Sequence, residues 1–282
     1  MTLPEPITAV TPRPVRRPQS ILVQQWRRLT FLHWTADPAV VAPFLPPGTR
    51  PDTLDGVTYI GLVPFQMYKV GLGPGPGLPY LGTFCETNVR LYSVDAEGRR
   101  GVVFLSLDAA RLAPVLVGRL GFGLPYLWSR MRMQRAGDLV TYTSSRRWPG
   151  PRGTSTRVSV RIGERVAEPS ALEHFVSARW GLHVSWHGRT LYLPNEHPAW
   201  PLYRAELVEL DDGAIAATGL EPPDGPPVSV LYSPGVPVRF GPPLAAGSDP
   251  KGPNRAAPDT GAPDTGAPDI GAPGMGGPAI PG

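Results

Sequence analysis

The chain has 282 residues, 41% of them hydrophobic, with 38 Pro, 33 Gly and a formal net charge of +4. That is enough apolar content to build a core in one large domain or two small ones. The Pro and Gly content borders on low complexity, so part of the chain is expected to lie outside the fold.

Residues 1–19 hold arginines and prolines but no apolar run. They do not read as a secretory signal; they read as a flexible arm. No stretch of about 18 apolar residues follows, so no membrane partner is expected and the cytoplasm is the default location. The basic residues are nearly all arginines, scattered apart from pairs such as Arg16–Arg17, Arg27–Arg28 and Arg146–Arg147. No dense basic block is present, which argues against nucleic acid as a partner. The lone cysteine, Cys85, permits no intrachain disulfide and no cysteine metal cluster.

Residues 20–241 are expected to carry the fold. Asp37-Pro38 predicts an N-cap with Pro at the first helical position, opening a short helix to about Leu45. Alternation and β-branched content predict strands at 57–69, 82–94 and 101–108. Residues 109–121 read as a helix despite Pro114. Strands follow at about 128–135, 139–146 and 155–162. Ser170 with Glu173 forms a capping box before the apolar stripe Leu172, Phe175, Val176. Further short strands are expected at 182–193, 202–210, 214–219, 228–232 and 237–240. This pattern predicts a mostly-β α+β domain with two or three short helices and an antiparallel, barrel-like sheet. Residues 242–282 include the repeat Ala-Pro-Asp-Thr-Gly-Ala-Pro-Asp-Thr-Gly-Ala-Pro-Asp-Ile-Gly (257–271). Such a segment buries too little apolar area to offset its ordering entropy and is expected as a disordered tail.

The segment richest in chemistry is Phe84-Cys85-Glu86-Thr87-Asn88-Val89-Arg90-Leu91-Tyr92. On a strand, alternate side chains share a face. Glu86, Asn88 and Arg90 therefore project together, flanked by Phe84 and Tyr92, while Cys85, Val89 and Leu91 face the other way. One reading is a solvated outer face. The other is a polar cluster in an aromatic-walled pocket, where Arg90 holds a carboxylate bidentately and Glu86 acts as a base.

A strand ending Asp108-Ala109-Ala110 comes next, then Gly118-Arg119-Leu120-Gly121-Phe122-Gly123-Leu124-Pro125. This order resembles acetoacetate decarboxylase. Residues from about 26 to 241 resemble more closely the YqjF-like family, domain of unknown function 2071. The likeness rests on Leu32-His33-Trp34, Asp55-Gly56, Glu86 to Tyr92, Gly101 to Ala109 and Leu124-Pro125-Tyr126. It continues through Ala178-Arg179-Trp180-Gly181-Leu182, His197-Pro198-Ala199-Trp200-Pro201-Leu202 and Tyr232-Ser233-Pro234-Gly235-Val236. The resemblance implies an acetoacetate decarboxylase-type fold, a strongly curved antiparallel sheet closed into a cone-like barrel around an internal site. It also implies two lysines after Gly-x-Pro, one forming an imine with the substrate ketone. Here Tyr126 and Leu127 stand there instead. The expected domain keeps one lysine, Lys69, read as a surface residue at a strand end beside the glycine-rich run Gly71 to Gly77. That run reads as a flexible loop.

His183 and His187 are four apart, but in strand-like sequence, so no metal pair is expected. His174 reads as solvated, and His33 and His197 as pocket-lining or strand-end residues. Two functions follow. The first is an enzyme working without a Schiff base on a small carboxylate or ketone, with Glu86 and Tyr126 catalytic and Arg90, Asn88, Arg119, Arg179 and His33 binding substrate. The second is a ligand-binding or scaffold protein that kept the barrel and lost the chemistry, in which Tyr126 simply packs. Either way the expected partner is a small, anionic molecule, with no cofactor and no metal. A homo-oligomer is compatible with both.

Overall fold

The computed structural model describes residues 3–73 and 75–246. Its elements begin with β1 Leu22–Ala36, α1 Pro38–Val41, β2 Thr49–Pro51, β3 Thr58–Leu72, β4 Phe84–Asp95 and β5 Arg100–Ala109. Next come α2 Leu112–Phe122, β6 Tyr126–Ala136, β7 Leu139–Trp148, β8 Ser155–Arg165 and α3 Ala171–Ser177. The order ends with β9 Gly181–Trp186, β10 Arg189–Glu196, β11 Tyr203–Asp212, β12 Ser229–Phe240 and β13 Leu244–Ala245. The strands form one strongly curved sheet that closes on itself twice. The order β4–β5–β6–β7–β8–β11–β12–β1–β3 returns to β4, and so does β4–β5–β9–β10–β12–β1–β3. The second closure is irregular, resting on two residue pairs between β10 and β12 and one between β5 and β9.

The two rings share β12, β1, β3, β4 and β5, so this common wall is dry on both faces. Leu32, Leu62, Val89, Leu91 and Val103 point into one core, with Val140 and Val160 opposite. Phe31, Phe65, Phe84, Tyr92 and Val102 point into the other, closed by Phe175 of α3 and by Leu182 and Leu193. Eleven of the twelve positions of β4 are buried.

Local chemistry explains the elements. The Asp37 carboxylate accepts from the N–H of Ala39 at 2.7 Å, starting α1. The capping box of Ser170 and Glu173 closes reciprocally. α2 begins at Leu112, so Pro114 falls in its first turn, where its missing N–H costs nothing. The helix stops at Gly123, whose φ of +65° suits glycine.

Several expectations are corrected. The stretch 182–193 is two strands, β9 and β10, because His187 and Gly188 take positive φ and make a hairpin turn. Residues 214–219 hold a 3-10 turn, Ala216–Thr218, rather than a strand: the Asp212 carboxylate captures the N–H groups of Ala214 and Ile215. The pieces 228–232 and 237–240 are one strand, β12. The sheet is not wholly antiparallel, since β5 pairs in parallel with β6 and β9. β5–α2–β6 is a crossover unit that sets Tyr126 beside Leu107. In the glycine-rich run Gly73 N–H donates to the Ile21 carbonyl at 2.9 Å; after the run, Leu78 N–H donates to the Val70 carbonyl at 2.8 Å and Val70 N–H to the Gly82 carbonyl at 3.0 Å.

The arm lies against the domain. Thr11 and Val15 are buried, Val15 N–H donates to Glu196 at 2.6 Å, and Trp180 Nε1 donates to the Thr8 carbonyl at 3.1 Å. Of the tail, 242–246 are described, with β13 pairing on β10; the repeat at 257–271 lies outside the described residues. Among the described residues, no helix is long and apolar enough to cross a membrane.

β1 was not foreseen as a strand, and the reason is a bulge. Arg28 has φ +52°, and the register against β3 slips between Arg27 and Leu32. Before the bulge even-numbered residues such as Trp26 face the second ring; after it Leu29 and Phe31 do. The period-2 pattern is thereby broken. Gly235 of β12 sits directly opposite, with φ +119°, and a Cβ there would overlap the Trp26 carbonyl. Gly235→Ala should therefore cost at least about 1–2 kcal/mol from the backbone alone. The measurement is thermal unfolding, where Tm should fall by several degrees; an unchanged Tm would mean that the paired kink carries no strain.

Candidate functional site

The second ring encloses a cavity of about 100 Å³. β4 contributes Glu86, Asn88 and Arg90; β6 contributes Tyr126; the turn before β9 contributes Arg179; β10 and the segment after it contribute Asn195, His197 and Trp200.

Glu86 and Tyr126 form the centre. The Tyr126 hydroxyl donates to Glu86 Oε2 at 3.1 Å. Burial raises the Glu86 carboxyl from 4.5 to about 8; the Tyr126 hydrogen bond opposes this, and Asp108 adds to it. Burial, then the Glu86 charge, also pushes the Tyr126 phenol well above its ordinary value. The pair therefore keeps both protons at neutral pH. Gly118 of α2 makes the arrangement possible, because a Cβ there would overlap the Tyr126 ring.

Arg90 stands two pleats along β4. Its Nε donates to the Tyr92 hydroxyl at 3.1 Å and its Nη2 to the Val176 carbonyl at 2.8 Å. No carboxylate lies within 4 Å of it among the described residues. The Tyr92 hydroxyl also lies 3.1 Å from the Val176 carbonyl and shares a 2.6 Å hydrogen bond with His33 Nε2. His33 is fully buried and neutral: burial, then Arg90 and Arg179, depress it well below its usual range. It supports Tyr92, which orients Arg90, and does not itself line the cavity. Arg179 donates through Nε to Phe175 at 2.7 Å and through Nη1 to Asp52, which Arg100 also engages. Its Nη2 is buried without a partner, as are Asn88 Oδ1, Asn195 Oδ1 and Trp26 Nε1 on the same wall. Two guanidiniums, Arg100 and Arg179, thus converge on one carboxylate, Asp52, and Arg90 stands without one. His197 adds no charge, since burial lowers it to about 4. Its Nδ1 donates to the Pro198 carbonyl at 2.8 Å.

Arg119, expected to bind substrate, stands outside. Its side chain is exposed, donates to the Tyr126 carbonyl at 2.8 Å and lies over Trp148. It holds the start of β6 in place and does not reach the cavity. Lys69 is exposed, its Nζ 5.4 Å from the Tyr68 ring and away from the cavity wall. Sequence reasoning missed Asp52, Asn195, Gln24 and Trp26. The last two sit on the unforeseen β1, and no local pattern marks the others. Among the described residues, no group of three or more His, Cys, Asp or Glu could hold a metal ion.

Comparison with solved structures places the fold. The enduracididine biosynthesis enzyme MppR complexed with pyruvate superposes with TM-score 0.54 at 16% identity, covering 80% of this chain and 91% of that one. Acetoacetate decarboxylase from Legionella pneumophila gives TM-score 0.55 at 16% identity, covering 83% and 92%. The domain thus has the acetoacetate decarboxylase-like fold. Residues 23–237 match the family model DUF2071, described as an uncharacterized conserved protein. The chain belongs to that family. It is 28% identical over 208 residues to the uncharacterized protein YqjF of Bacillus subtilis, covering 74% of this chain and 86% of that one.

Glu86 makes stability depend on pH. Below 4.5 folded and unfolded chains both hold its proton; between 4.5 and about 8 only the folded chain does. Stability therefore falls as pH rises through that window and levels off above it. Glu86→Gln should remove this slope, gaining on the wild type by on the order of a few kcal/mol across the window. Urea unfolding of both proteins on either side of the window checks it; equal slopes would mean that Glu86 titrates normally.

Proposed function

We propose that the cavity binds a small 2-oxo acid or related carboxylate and catalyses proton transfer next to its carbonyl, with no imine intermediate. The carrying observation is the charge imbalance beside a buried acid–phenol pair: Arg179 and Arg100 share a single carboxylate, Asp52, and Arg90 has no carboxylate within 4 Å among the described residues. Buried cations of this kind favour an anionic ligand. Pyruvate in the solved MppR neighbour supports that ligand class.

In this reading Arg90 and the free Nη2 of Arg179 hold the carboxylate. The Tyr126 hydroxyl donates to the ketone oxygen. The ionised fraction of Glu86 takes a proton from the adjacent carbon, leaving an enolate whose oxygen the Tyr126 hydroxyl holds by its hydrogen bond, and returns a proton to the same carbon. A carboxyl near 8 is matched to such work near neutral pH. The alternative, a binding protein without chemistry, uses the same guanidiniums and leaves the pair idle.

Pyruvate should raise the Tm of the full chain, and Arg90→Gln should abolish the rise. In D2O the wild type should exchange the pyruvate methyl protons, as followed by NMR, and Glu86→Gln and Tyr126→Phe should each slow that exchange at least ~100-fold. Borohydride treatment with pyruvate should leave the protein mass unchanged. Binding without exchange would favour the binding protein, and an absence of binding by small oxo acids would remove the proposal.

A further inference from the structure

A second hollow of about 210 Å³ adjoins the first. The two share Leu22, Gln24, Met67, Phe122, Leu124 and Tyr126 in their walls, so they meet at the Tyr126 ring. Their chemistry differs sharply. The inner cavity gathers the charged and amide groups. The outer one is walled by Val70, Leu72, Leu78, Leu81, Val117 and their neighbours, with Gln24 and Tyr126 as its polar side chains. Leu72, Leu78, Leu81 and Val117 are exposed at its mouth, where the loop after β3 faces α2. A contiguous exposed apolar patch on a groove marks a binding surface rather than chance exposure.

From this we infer that the ligand is amphipathic: a carboxylate or oxo-acid head in the inner cavity, and an unbranched alkyl tail running past Tyr126 into the outer channel. The inference rests on the oxo-acid reading above and names the part of the substrate which that reading leaves open. Three features support the tail. The outer hollow, about 210 Å³, would be idle for a ligand the size of pyruvate held in the inner one. Its shared wall residues put it in line with the polar end. The loop wall is fixed by hydrogen bonds to β3, Leu78 to Val70 and Val70 to Gly82, so the channel is preformed and a tail entering it orders little of the protein.

The test is calorimetric titration of the full chain with straight-chain 2-oxo acids, beginning at pyruvate and lengthening by one methylene at a time. Affinity should rise about fourfold per methylene until the channel is full, then level off. Val117→Trp, at the mouth on the exposed side of α2, should bring the plateau forward to shorter acids and leave pyruvate affinity unchanged. Leu78→Arg, on the opposite wall, provides the same test should the tryptophan disturb α2. Pyruvate binding with no gain on lengthening overturns the channel inference and leaves the head-group reading standing. Failure of every acid, short or long, overturns both. If long acids gain nothing and Val117→Trp converts a dimer to a monomer in sedimentation, the mouth is a contact between copies and the inference is wrong.

Discussion

The site depends on one constraint: the wall carrying Glu86, Asn88 and Arg90 belongs to two closed rings at once. An antiparallel strand usually has a dry face and a wet one. β4 has two dry faces, because Val89 and Leu91 pack into one core while Phe84 and Tyr92 pack into the other. Polar groups on such a strand cannot be left to bulk water and must find partners or face a cavity. Arg90 does both. Tyr92, Val176 and behind them His33 hold one side of its guanidinium, while its Nη1 has no hydrogen-bond partner among the described residues. Removing His33 or Tyr92 would leave a buried charge poorly held, which costs more than the hydrogen bond itself.

The parts of this arrangement legible in the sequence are those that regular backbone preserves. β4 carries no bulge against β3, so simple alternation put the acid, the amide and the guanidinium on one face with Phe84 and Tyr92 beside them. β1 was illegible because Arg28 reverses its phase in mid-strand. Asp212 hid a turn inside strand-like sequence by capping it. The helix was legible despite Pro114, but the parallel pairing of β5 and β6 that makes it a crossover was not, because a single β–α–β unit sets no repeating rhythm. For the site, the motif around Gly118 and Arg119 was read for the wrong atom. Its arginine is exposed and braces Tyr126 from outside, whereas its glycine clears the space the Tyr126 ring occupies. Asp52 and Asn195 come from segments far apart in the chain, and no local periodicity reports which distant segments meet.

Tyr126 stands where the sequence resemblance to acetoacetate decarboxylase implies a lysine. The phenol keeps its proton because it is buried beside Glu86. It donates to Glu86, and the two together hold protons that are exchangeable near neutral pH. On the proposed reading the cavity offers no amine nucleophile and a proton-handling pair, and the chemistry open to it is binding, polarising and moving hydrogen.

Glu86 belongs to the wall shared by both rings, with Tyr126 at the start of β6 against it, while the apolar channel beyond Tyr126 is formed by α2 and the loop after β3. On the proposed reading the division has a consequence. Changes at Val117, Leu78 or Leu81 alter which tail fits without moving Glu86, because no hydrogen bond connects those side chains to β4. Changes at Arg90, Asp52 or His33 act in the reverse sense, disturbing the head-group site while leaving the channel intact. A fold built this way lets relatives differ in ligand length through surface segments alone, with the acid–phenol pair held constant by the packing of two cores against one strand.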